Sequence, residues 1–283
     1  FPGTTLVTIS GGAPNGDYAL AYRTAAKEYR EVAKMAGDHG VRVALEPINS
    51  IHMNMDTFLC SIPHAMRVIN EVNHPHFGLF VDVWHIWEDI GAPDQIRKYG
   101  SQIFGVHIDD WKTPRTFGDR HLPGQGEIPL VELLKAIRST SYPGTYTLEI
   151  FSEMSLADSL WHDPAKTVRE WSQLCERVGI AAVCVSEHPA PDADWLHNDP
   201  SGHDCPDPFT VLAFAAAATA TLKVYSNILV LPYRNPFMTA KAAATLQVFS
   251  DGRFSLGVGA VYHKAEFEAL GASFHERGAL TDE

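Results

Sequence analysis

Four polar residues interrupt or end apolar runs in this chain. Glu46 closes the run Val43-Ala-Leu-Glu46, and Asp82 stands inside Phe80-Val-Asp-Val-Trp-His85. His107 stands inside Gly105-Val-His-Ile-Asp-Asp110, and Glu149 follows Tyr146-Thr-Leu. A carboxylate at the end of a buried strand is costly unless it is paired or bound to a cation. One such residue is explained by a local salt bridge. Three of them beside a histidine, with few basic neighbours in sequence, argue for one shared cation. Three carboxylates and an imidazole suit manganese, magnesium or cobalt better than structural zinc, which favours Cys and His. The competing reading pairs each acid with Lys or Arg and makes His107 a satisfied core histidine.

These residues need strands to position them. Short apolar runs fall at residues 5–9, 41–48, 77–83, 103–108, 145–151, 181–186, 224–231 and 254–258. Each is rich in Val, Ile, Leu or Phe with weak alternation, the pattern of strands covered on both faces. Amphipathic stretches such as 18–38 and 130–139 lie between them and predict helices. Repeated β-α order implies a parallel sheet, and eight such strands predict an α/β fold, a (β/α)8 TIM-barrel-like domain. An open doubly wound sheet is the alternative. The barrel is preferred because the polar residues sit at the C-terminal ends of successive strands, which converge on one mouth.

The bulk properties set limits. The chain has 283 residues, a formal charge of −12 and four cysteines without a CxxC pair. An acidic chain lacks the clustered Lys and Arg of a nucleic-acid partner, and no apolar run reaches bilayer length. The longest candidate, 211–222, is Ala-rich and predicts a buried helix. Unstapled cysteines suit a reducing cytoplasm. The expected partner is therefore a small molecule, with no nucleic acid and no membrane, and a homo-oligomer is compatible. The chain opens on Phe-Pro-Gly and ends as a helix begins, which reads as a fragment or a fusion cut at both ends.

Taken together, residues 1–170 resemble the xylose-isomerase-like barrels, especially ketose epimerases and related sugar or sugar-phosphate isomerases. In that family four successive strands supply Glu, Asp, His and Glu to one metal, and Glu46, Asp82, His107 and Glu149 match in order and spacing. The family's Asp-x-x-His is Asp82-Val-Trp-His85, and its Arg ahead of Pro-Gly-x-Gly is Arg120-His-Leu-Pro-Gly-Gln-Gly126. The resemblance implies that His85 and Arg120 contact substrate. It also makes Glu46 and Glu149 the acid/base pair as well as metal ligands, acting on an enediolate. Asp109 would orient a ligand, or else be a surface loop acid. The matching region corresponds to the last five strands of such a barrel.

Residues 171–283 resemble a different family, the luciferase-like flavin- or deazaflavin-dependent monooxygenases. The carrying segments are Val185-Ser-Glu-His188, Asp207-Pro-Phe209, Leu231-Pro-Tyr-Arg-Asn-Pro236, Ser250-Asp-Gly-Arg-Phe254, Leu256-Gly-Val-Gly259 and Phe274-His-Glu-Arg-Gly278. This part corresponds to strands two to four. His188 would lie near a flavin or serve as a structural histidine at a strand end. Five strands plus three make eight, so a composite barrel is one arrangement, and a cut through two fused barrels is the other. Three functions follow from these two patterns: metal-dependent isomerisation or epimerisation, flavin- or deazaflavin-dependent oxidoreduction, and an inactive fusion fragment.

Overall fold

The computed structural model describes residues 4–114, 120–152, 159–190 and 205–282. The chain divides into two compact units, 1–152 and 153–283.

The first unit is built on five parallel strands: β1 (Thr5–Thr8), β2 (Arg42–Leu45), β3 (Phe77–Asp82), β4 (Ile103–Ile108) and β5 (Tyr146–Leu148). Each pairs with the next in sequence, in the order β1-β2-β3-β4-β5. A doubly wound sheet reverses its order at a switch point, whereas a barrel does not. The five strands are therefore a half-barrel. Helices α1 (Tyr18–Asp38), α2 (Ile62–Val72), α3 (Val83–Ile86), α4 (Ala92–Tyr99) and α5 (Leu130–Ser139) connect them.

Local chemistry explains the boundaries. The Asp17 carboxylate accepts the Leu20 amide at 2.9 Å and starts α1 where the sequence predicts it. Ser61 and Pro63 open α2, and Asn73 closes it in the left-handed conformation at φ 48°. Along α2, Ala65, Met66, Ile69 and Val72 recur at helical spacing and are buried. They join Leu45, Leu79, Val81 and Val106 of the strands, with Leu133 and Ile137 of α5, in one core. Each fully buried Leu or Ile contributes roughly 1.5–3 kcal/mol of transfer free energy. That core fixes the strands whose ends carry the polar residues.

The second unit has α6 (Pro164–Val178), β6 (Ala182–Val185), α7 (Pro208–Ala217), β7 (Lys223–Ser226), β8 (Leu229–Val230), α8 (Pro236–Phe249), β9 (Phe254–Ser255), β10 (Val258–Gly259), α9 (Lys264–Ala269) and α10 (Arg277–Asp282). Strands β6-β7-β9 form one parallel sheet and β8-β10 a separate parallel pair. The runs 224–231 and 254–258 thus each break into two short strands. The helix expected at 211–222 stops at Ala217, and Leu222 is buried ahead of β7. Leu212, Ala215, Val224, Leu246 and Phe254 pack together as this unit's core.

Among the described residues the strands form a five-stranded sheet in the first unit and a three-stranded sheet with a separate pair in the second. The units divide at Ser152, and residues 153–158 lie outside those described.

Candidate metal centre

Parallel register places the polar residues side by side. Asp82, the last residue of β3, is the register partner of His107 on β4, and β5 ends at Leu148, one residue before Glu149. Glu46 follows β2, and its amide donates to the Thr8 carbonyl at 2.9 Å. Parallel pairing thus sets four side chains at the C-terminal ends of four neighbouring strands.

They converge on the His107 ring. Its Nδ1 lies 3.3 Å from Glu149 Oε2, 3.7 Å from Asp82 Oδ2 and 3.8 Å from Glu46 Oε1. Glu46 Oε1 and His107 Nδ1 are buried, and neither makes a hydrogen bond among the described residues. Buried polar atoms without partners are rare in folded proteins and call for an explanation such as an ion. Asp82, His107 and Glu149 offer three ligand atoms within 4.8 Å of one another, and Glu46, Asp82 and His85 offer a second such set. Three carboxylates around an imidazole therefore fit a divalent cation.

Asp82 divides its two oxygens. Oδ1 accepts the Trp84 amide at 2.8 Å and caps α3, while Oδ2 faces the cluster. His85, on α3, accepts the Asn49 amide at Nδ1 at 3.0 Å, and Arg120 Nη2 lies 2.8 Å from its Nε2. A neutral imidazole has one acceptor nitrogen, so only one of these contacts is a hydrogen bond at a time.

Arg120 is the cation that these acids meet. It is buried, with Nη1 2.7 Å from Glu149 Oε2, Nη2 3.2 Å from Asp82 Oδ2 and Nε 3.1 Å from Asp109 Oδ2. The Asp109 contact is an ion pair by distance but is not aligned as a hydrogen bond. The guanidinium also lies 5.2 Å from the Trp84 ring centroid and 4.9 Å from that of Phe151. Asp109 is fully buried, which corrects the surface-acid alternative for it.

One guanidinium does not balance Glu46, Asp82, Asp109 and Glu149, and the titration behaviour follows. Burial, then the charges of Asp82 and Glu149, raise Glu46 to about 8. Burial and Asp82 raise Asp109 against the pull of Arg120. Burial would also raise Asp82 and Glu149, but it is outweighed in both. Arg120, His85 and His107 hold Asp82 low, and Arg120 and His107 hold Glu149 low. Burial alone would lower His107, yet Asp82 and Glu149 raise it to about 10. Burial lowers His85 to about 3, against the pull of Asp82 and with that of Arg120, so its ring is neutral. At neutral pH these shifts leave Asp82 and Glu149 ionised against Arg120 and a protonated His107 while Glu46 and Asp109 hold protons, so the four acids share the site only by taking up protons or a cation.

Asp110 escaped notice in the sequence. It is buried beside Asp109, and both its oxygens accept backbone amides from the segment that follows Arg120. The doubled acid in His107-Ile-Asp-Asp110 was the only hint of it.

In the second unit, His188 Nδ1 lies 3.3 Å from Oε1 of the fully buried Glu266, whose Oε2 accepts the Tyr233 hydroxyl at 3.0 Å. Glu187 is also buried. It accepts the Val230 amide at 2.7 Å and Arg234 Nε at 2.6 Å, and Arg234 continues to Asp207 at 2.8 Å. Of these only His188 was singled out from the sequence. Glu187 and Arg234 stand in the same segments, Val185-Ser-Glu-His188 and Leu231-Pro-Tyr-Arg234, but only the fold brings those together.

Parallel barrel strands with a carboxylate and imidazole cluster at their C-terminal ends define an α/β-barrel protein with a candidate cation site. Residues 2–175 match the xylose isomerase-like TIM barrel family and residues 142–283 match the luciferase-like monooxygenase family, so the chain belongs to both. The inosose isomerase of Bacillus subtilis is 32% identical over 127 residues, which span 43% of this chain and 44% of the relative. The D-psicose 3-epimerase of Enterocloster bolteae is 27% identical over 137 residues, 48% of this chain and 41% of the relative. A crystal structure of a Sinorhizobium meliloti protein superposes with a TM-score of 0.54 at 27% identity, covering 61% of this chain and 64% of that one. The chain thus spans less than half the length of these two curated relatives. The luciferase-like match begins at residue 142, well ahead of residue 171, and takes in β5. No described helix is long and apolar enough to cross a membrane.

Proposed function

We propose that the first part of the chain, residues 1–170, is a divalent-metal-dependent isomerase or epimerase of a sugar or sugar phosphate. The observation that carries this reading is the approach of Glu46, Asp82 and Glu149 within 3.8 Å of one imidazole nitrogen, His107 Nδ1. A bound manganese, magnesium or cobalt ion supplies Lewis-acid stabilisation of the charge that develops on the substrate oxygens. Glu46, Asp82, His107 and Glu149 hold that ion. Glu149 and Glu46 move the proton: one carboxylate takes it from the carbon beside the carbonyl, and the other returns it to the opposite face or to the neighbouring carbon. His85 and Arg120 orient the substrate oxygens, and Asp109 steadies Arg120. The isomerase and epimerase relatives support the substrate class.

The decisive experiment pairs elemental analysis with proton exchange in heavy water. The protein should retain a divalent metal and, only with it, exchange the hydrogen beside a ketose carbonyl. Metal binding without exchange on any ketose or ketose phosphate would favour an inactive fusion fragment instead.

A second reading rests on the luciferase-like match over residues 142–283 and on the buried Glu266 with its partners His188 and Tyr233. It assigns flavin- or deazaflavin-dependent oxidoreduction to the second part, with His188 beside the cofactor. Flavin absorbance that stays with the protein through purification distinguishes it.

A further inference from the structure

Arg120 sits on a segment without helix or strand, yet its guanidinium touches three carboxylates. Something must hold its backbone. Asp110 and His121 exchange backbone hydrogen bonds at 2.8 and 2.9 Å, an isolated antiparallel bridge just past β4. The Asp110 carboxylate then gathers four amides. Oδ1 accepts from Trp111 at 2.9 Å and Ile128 at 3.0 Å, and Oδ2 from Gly124 at 2.8 Å and Gly126 at 2.9 Å. A carboxylate with all its acceptor capacity used on backbone N–H groups is a strong clip, because each bond is charge-assisted. The fit leaves no slack: a Cβ on Gly126 would overlap the Trp111 carbonyl oxygen and lie 2.5 Å from Asp110 Oδ1. On its other side, the Arg120 amide donates to the Phe151 carbonyl at 2.8 Å, two residues beyond Glu149.

We infer that Asp110 is the positioning residue for Arg120, folding residues 120–128 into a loop that delivers the guanidinium to the substrate side of the metal centre. This rests on the isomerase reading for its catalytic meaning but not for its geometry. Asp110 itself makes no contact with the proposed ligands, so its effect passes through Arg120.

The test is Asp110→Asn in the full chain. Asn keeps one acceptor oxygen and turns an NH2 group toward two of the four amides, so half the clip becomes repulsive at unchanged shape. The Arg120 Nε–H resonance, assigned by its loss in Arg120→Gln, should shift or broaden in Asp110→Asn. Binding of Mn²⁺ should change by less than about threefold, since the ligands lie on the strands or one residue past their ends. Metal-dependent proton exchange into D-fructose or its 6-phosphate should fall about 100-fold in kcat/KM, the scale of a displaced catalytic group. In the Arg120→Gln background the same substitution should add almost nothing. An unmoved Arg120 resonance, or a full additional loss in that background, overturns the assignment. A wild type that exchanges no proton removes the isomerase reading, and the resonance still decides the role of Asp110. Should Asp110→Asn fail to fold, amide exchange in the wild type decides: protected Gly124 and Gly126 amides sustain the clip, and rapidly exchanging ones refute it.

Discussion

Glu149 is the most open of the four residues at the centre, its side chain 32% exposed where that of Asp82 is fully buried. A group at the mouth can meet substrate while the deeper ones hold an ion. Glu149→Gln keeps the shape and a carbonyl oxygen but is no useful base. It should lower proton exchange by about 100-fold or more while Glu46, Asp82 and His107 retain detectable metal. Elemental analysis beside deuterium incorporation checks both halves, and a variant that exchanges as fast as wild type removes Glu149 from the acid/base role. The four residues were legible in sequence because each places a polar group where an apolar strand should continue. Arg120 and His85 were legible only through family spacing. Asp110 was not legible, because its partners are backbone amides, which leave no mark in the identity of the residues that carry them.

The elements were legible where periodicity and caps agree. Helix α1 begins at Tyr18 and ends at Asp38 as predicted, since Asp17 caps it. The run at 224–231 did not announce its break into β7 and β8, because an apolar run carries no signal of a change of partner. Two consequences belong at this scale. Leu79 is fully buried at the centre of β3, so Leu79→Ala should cost about 2–5 kcal/mol, measured by denaturant unfolding. Asp89 accepts the Ile62 amide at the start of α2 at 2.9 Å, and burial, with the charge of Glu88, raises it to about 6 against that hydrogen bond. A raised carboxylate binds its proton more tightly in the folded state. Its stabilising effect is therefore complete below about pH 4 and is lost as pH rises through 6. Asp89→Asn keeps an acceptor for Ile62 and should be more stable than wild type at pH 7 by about 1 kcal/mol, a figure reduced for partial solvent screening. The difference should vanish near pH 4. A constant difference across that range would refute the linkage.

At the scale of the molecule, two family patterns meet in one chain and overlap over residues 142–175. Strand β5 falls in that overlap and is hydrogen-bonded to β4, so the first sheet holds it. Local patterning marked the apolar runs, but neither the breaks that turn eight runs into ten described strands nor which edges pair. With the second unit's described strands confined to β6-β7-β9 and the β8-β10 pair, the purified chain should carry no stoichiometric flavin or deazaflavin. An absorbance spectrum checks this, and a bound chromophore at one per chain would reverse it. A rim of unpaired sheet has a further effect on how the protein behaves in a tube. Strand β1 hydrogen-bonds to β2 alone among the described strands, and Leu6 and Val7 upon it are 55% and 44% exposed. An exposed apolar edge with free amides and carbonyls is a template for another chain. Scattering from this protein should therefore grow with concentration, and a charge placed at Leu6 should quiet it without touching the metal centre at the opposite ends of the strands.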